Sequence, residues 1–155
     1  MIYDLILFAH VIGATVLLGT GAGIAFFMVM SHRSKDPRLI AHVAGIVVVA
    51  DTLFTASAAL VQPITGLTLA WLGGWPILEG WVAWSLALYV FVGGFWLPVV
   101  WMQIRMRNMA REAASTGGPL PPAYHRLYRW WFAFGFPAFA AVLAIVWLML
   151  TKPVL

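Results

Sequence analysis

A chain of 155 residues that is 63% hydrophobic and 9% charged, with a mean hydropathy of +0.94, is too apolar for a soluble domain and too short for more than one compact unit. It has no cysteine, which excludes disulfides, thiolate metal centres and c-type haem attachment. The net charge of +4 comes from basic residues confined almost wholly to Arg33–Arg38 and Arg105–Arg129, so it points to anchoring against anionic lipid and not to nucleic acid.

A spanning helix needs about 20 mostly apolar residues, and four such segments are legible. The first is predicted over about Tyr3 to Met30. Met1 is followed by Asp4 and not by a basic segment, and no small-residue cleavage site closes the run, so it reads as a retained helix. It carries His10 beside the small residues Gly13 and Ala14, and a Gly19-x3-Gly23 pattern of the kind that lets helices pack closely. The second span is predicted from Pro37 to Leu72, with Asp36 as its N-cap and proline at its first position. Its one acid, Asp51, interrupts an otherwise apolar run without breaking it. Asp51, Thr55, Ala58, Gln62 and Thr65 recur every three or four residues and form one polar stripe.

Gly73-Gly74-Trp75-Pro76 makes the next turn. The third span covers about Leu78 to Arg105, and Arg105, Arg107, Arg111 and Glu112 carry its helix beyond the membrane towards a Gly- and Pro-rich loop near 113–122. The fourth runs from about Tyr124 to Thr151. Pro63, Pro98 and Pro137 each lie inside a span. The fold class expected is all-α: a four-helix transmembrane bundle forming a single domain over residues 1–155. By the positive-inside rule both basic loops face the cytoplasm and both termini face away from it, in a bacterial inner membrane. Trp71, Trp75, Trp81 and Trp84 then form one aromatic belt, and Trp101, Trp130 and Trp131 the other.

Ionisable groups in hydrocarbon are costly and mark functional positions. His10 lies roughly 10 Å below the terminal end of its helix at 1.5 Å per residue. It is either hydrogen-bonded to a neighbouring helix or an axial ligand to haem iron. Because the second helix runs antiparallel to the first, Gln62 and not Asp51 reaches the depth of His10. A haem there needs a further outer-leaflet group, such as Met149 late in the fourth helix, or an open position. Asp51 is either hydrogen-bonded to Thr or Ser across the bundle, or a proton relay or ligand contact. His32 and His125 read as solvated loop or headgroup residues, and His42 as packed or interfacial. His10 and His42 differ in depth by on the order of 20 Å, so they cannot share one haem.

The segments Leu7-Phe8-Ala9-His10-Val11-Ile12-Gly13-Ala14, Ala50-Asp51-Thr52-Leu53-Phe54-Thr55, Val61-Gln62-Pro63-Ile64-Thr65-Gly66, Trp96-Leu97-Pro98-Val99-Val100-Trp101 and Pro137-Ala138-Phe139-Ala140-Ala141 resemble a family of bacterial membrane proteins catalogued as domain of unknown function 2269. That likeness covers nearly the whole chain and implies a fold without an activity. More loosely, the early His10, the Pro63 and Gly66 late in helix two, and a last helix with Pro137 closing on Lys152-Pro153 are similar to the four-helix haem-b-dependent protoporphyrinogen oxidases and the copper-resistance D membrane proteins. The resemblance maps the oxidases' first-helix haem ligand onto His10. Their lysine at the start of helix three has no counterpart, since Trp81 to Ser85 holds none. The reading that follows is haem b bound through His10, with the lipid bilayer and other membrane or redox proteins as partners. The alternatives are a cofactor-free accessory or assembly subunit, and a small proton-coupled transporter using Asp51.

Overall fold

In the computed structural model, which describes residues 1–154, four helices and no strand are found among the described residues. They are α1 (Ile2–Ser34), α2 (Pro37–Leu72), α3 (Gly80–Thr116) and α4 (Pro122–Thr151). Leu155, the last residue of the domain expected over 1–155, lies outside the described residues. All four helices are long and apolar enough to cross a membrane, as expected from composition. Their 30 to 37 residues exceed the 20 or so that hydrocarbon requires. The surplus in α3 lies past Arg105, where the helix continues unbroken to Thr116.

Local chemistry sets the ends. The Asp36 carboxylate accepts from the backbone N–H of Arg38 at 2.9 Å and Pro37 opens the helix, so the predicted cap is in place. Gly117 closes α3 at φ +70, the left-handed geometry that a glycine takes without a side-chain penalty, and its N–H bonds back to the Ala113 carbonyl. α2 is continuous across its acid, but not uniformly α: Asp51–Thr55 forms a π-helical segment between two α-helical arms, Pro37–Ala50 and Ala56–Leu72. The sequence did not announce this insertion, a feature that recurs at functional sites.

α1 lies along both arms of α2, the first arm of α2 packs on α3, and α3 packs on α4. The main core gathers at the basic end, from Ile24 and Met28 of α1, Ile40, Ala44 and Val47 of α2, Met102, Met106 and Ala110 of α3, and Tyr124 and Trp131 of α4. Ala44 and Ala110 are fully buried, and their small side chains let α2 and α3 approach closely. A smaller cluster of Ala70, Trp81 and Val82 closes the terminal end. Leucines, isoleucines and phenylalanines cover the outer surface, as lipid contact requires.

Several expectations give way here. Trp81 and Trp131 are buried, while Trp71, Trp84, Trp101 and Trp130 are exposed, so the two aromatic belts each lose one member to the interior. His32 is not a free loop residue: its ring stacks on Tyr128 at 3.6 Å between centroids and its Nδ1 lies 3.3 Å from the Tyr124 hydroxyl. Gly19 and Gly23 have no neighbour within 4 Å of where a side chain would begin, so this pair does not join helices within the chain.

Candidate functional site

The polar stripe of α2 faces inward. Asp51, Thr55, Ala58 and Gln62 are buried, and Thr65 and Gly66 continue the line, half-buried, towards the terminal end. Two constellations of different character sit at its ends.

The first is built on His10. Its Nδ1 lies 2.8 Å from Oγ1 of Thr65. That hydroxyl has one proton, and it is directed to the backbone carbonyl of Val61 at 2.9 Å or of Gln62 at 3.1 Å, the back-bonding habit of threonine within a helix. With its proton so directed, the oxygen accepts from His10 in the tautomer assigned to it, Nδ1–H. Nε2 then keeps its lone pair, and no donor to it is found among the described residues. The ring packs closely over Gly66, where a methyl would sit 3.0 Å from Cε1 of His10. One turn on, Gln62 is pressed against Gly13 so closely that any side chain there would strike Oε1, an oxygen buried without a hydrogen-bond donor. α1 thus meets the second arm of α2 with His10 beside Thr65 and Gly66, and Gly13 beside Gln62.

Met149, at the same end of the bundle, packs with Leu86 and Leu148 against Ala70, Trp81 and Val82. His42 is exposed on the opposite half of the chain, and His125 meets His32 edge to face at 5.8 Å. No group of three or more His, Asp or Glu side chains converges among the described residues.

The second constellation is built on Asp51, in the π segment. Its Oδ1 accepts from Nε1 of Trp96 at 3.2 Å. The Gln103 amide, oriented by its neighbours, donates to Oδ2 at 3.2 Å and accepts from Nε1 of Trp131 at 3.2 Å. One carboxylate thereby ties α2 to α3 and, through Gln103, to α4. Thr55 Oγ1, buried one turn away on the same helix, is the hydroxyl that faces the carboxylate. The partners from across the bundle are a tryptophan and an amide. Reading Trp131 as part of an aromatic belt hid this. The available signal was the spacing of Trp96 and Gln103, seven residues apart and so on one face of α3.

The sequence matches the family model described as "Predicted integral membrane protein (DUF2269)" over residues 4–153, and the chain belongs to that family. No curated protein and no solved structure matches it.

Proposed function

We propose that this member of the DUF2269 family binds haem b through Nε2 of His10 and serves electron transfer or haem-linked redox chemistry in a bacterial inner membrane. The observation that carries the reading is the bond from His10 Nδ1 to Thr65. It fixes the ring and leaves Nε2 as a donor of electrons, the arrangement an axial imidazole ligand requires. The chemistry of the donor set agrees. A lone imidazole holds a bare cation poorly, but it is sufficient for iron already bound by four porphyrin nitrogens. Gly66, without a side chain, lets the ring lie close against α2. When bound, haem would supply a one-electron couple. The chain's own part is to orient the imidazole, exclude bulk water and set the polarity around it.

A second reading rests on Asp51. Both of its oxygens are occupied by groups that connect helices, which suits a cofactor-free accessory or assembly subunit whose polar residues only hold the bundle together.

Absorbance separates the two. Protein purified from membranes of cells expressing it with ample haem should show a Soret band, and His10→Ala should lose nearly all of it while remaining monodisperse and helical. His42→Ala and His125→Ala should retain it. A folded wild type without a Soret band, or a full band in His10→Ala, removes the haem reading and leaves the accessory one.

A further inference from the structure

The basic end of the bundle holds a feature that the polar seam does not use. A groove of about 530 Å³ opens on the outer surface between the first arm of α2 and the extension of α3. Arg107, Arg111 and His42 line it together with Gly45, Ile46 and Val49. Gly45 matters because it has no side chain: the Arg111 guanidinium lies over it, with Nη2 3.5 Å from where a methyl would stand. Arg107 is held in place from its own helix, Nε and Nη2 both donating to Oδ1 of Asn108 at 3.1 Å.

Neither arginine has an acidic partner. The ion pair found among the described residues joins the N-terminal ammonium to Asp4, at the far end of α1. Two guanidinium groups without a carboxylate partner on one wall suit an anion, and their planar forks match the oxygens of a phosphate. The rest of the groove says what that anion is attached to. α2 enters the bundle from this end, so Ile46 and Val49 lie about 1.5 and 6 Å deeper along the axis than Gly45, on which Arg111 rests. Both are more than half exposed, Ile46 at 57% and Val49 at 56%. The groove therefore joins a cationic wall, from Arg107 and Arg111, to an apolar one, from Ile46 to Val49. A soluble phosphate would satisfy the arginines and leave the apolar wall uncovered.

We propose that this groove is a binding site for one anionic phospholipid, its headgroup phosphate held between Arg107 and Arg111 and an acyl chain laid along Ile46 and Val49. The proposal is independent of haem, and it survives or fails whatever His10 binds.

The test uses the full chain in nanodiscs of phosphatidylcholine doped with phosphatidylglycerol, with retained lipid read by native mass spectrometry after release at high salt. Wild type should keep one phosphatidylglycerol in preference to phosphatidylcholine. Arg107→Ala with Arg111→Ala should weaken retention about tenfold or more, on the order expected for losing two basic contacts at a membrane surface. Gly45→Leu keeps every charge but fills the groove, and it should lose the lipid too, so the result does not depend on the double variant folding. Arg105→Ala with Arg126→Ala removes the same charge from exposed positions outside the groove and should leave retention near wild type. Equal losses in the two arginine pairs would reduce the effect to general surface attraction and overturn the site. So would retention in Gly45→Leu, indifference between the two lipids, or displacement by inorganic phosphate alone.

Discussion

At Asp51 the hydrogen-bond directions matter more than the charge. Trp96 and Gln103 each donate to one of its oxygens, and Gln103 can donate only because Trp131 occupies its carbonyl. Replacing Asp51 by Asn supplies one acceptor and one donor where two acceptors are needed. Turning the Asn amide brings its N–H against Trp96, and turning Gln103 brings a donor against Trp131, so one clash of donors persists in every orientation. Asp51→Asn should fold but lose about 1–2 kcal/mol, the usual cost of an unmet buried donor, visible as a lowered melting temperature in detergent. Asp51→Lys adds a charge and a third donor to the same place and should give no monodisperse protein. Wild-type melting of either variant would mean that the carboxylate does not serve this network.

At the level of the helix, two glycines of α1 that look alike in sequence have opposite roles. Gly13 lies against Gln62 with no room for a side chain, whereas nothing lies within 4 Å of Gly23. Gly13→Leu should push α1 off α2 and destabilise by several kcal/mol, with about 1–3 expected from overpacking alone and more from displacing His10 from Thr65. Gly23→Leu should fold and melt within about 0.5 kcal/mol of wild type, as an unhindered surface change does. Size-exclusion profiles and thermal melts of the two variants check this directly, and a collapse of Gly23→Leu would reveal a neighbour that the single chain does not supply. The π segment acts at the same scale. One extra residue per turn at Asp51–Thr55 lets the two arms of α2 differ in rotation, so the lower arm can bury Val47 and Ala44 while the upper arm presents Gln62 and Thr65 to α1.

For the molecule as a whole, charge and length act together. Helices of 30 to 37 residues cannot all lie inside about 30 Å of hydrocarbon, and the arginines mark the end that protrudes. The largest buried side chains, Tyr124, Met28, Ile40, Met106 and Gln103, belong to that half, which should be its most stable part. The basic loops should face the cytoplasm. Reporter fusions inserted near Lys35 and Gly117 should read cytoplasmic, and those near Gly74 and after the last helix should read external. A cytoplasmic signal after the last helix would contradict the charge argument, since an even number of spans puts both termini on one side.

The sequence by itself determined the class, the number of spans, the capped start of α2 at Asp36, and the stripe from Asp51 to Thr65. These depend on local properties: apolar run length, turn chemistry, and the helical period of a few polar residues in an apolar background. It also put His10 within one turn of its depth, near Gln62, whereas the ring meets Thr65 and Gly66 and the Gln62 side chain meets Gly13. Tertiary structure alone decided who meets whom. Trp96, Gln103 and Trp131 gather at Asp51, Trp81 turns inward while Trp84 turns out, and the glycines at 19 and 23 pack on nothing in the chain. In water, a helix's apolar side tells which face is buried. In a bilayer, lipid and core are equally apolar, so that contrast vanishes and only polar residues record a direction. The inward turn of a tryptophan or the open face of a glycine is therefore fixed by the shapes of neighbouring helices.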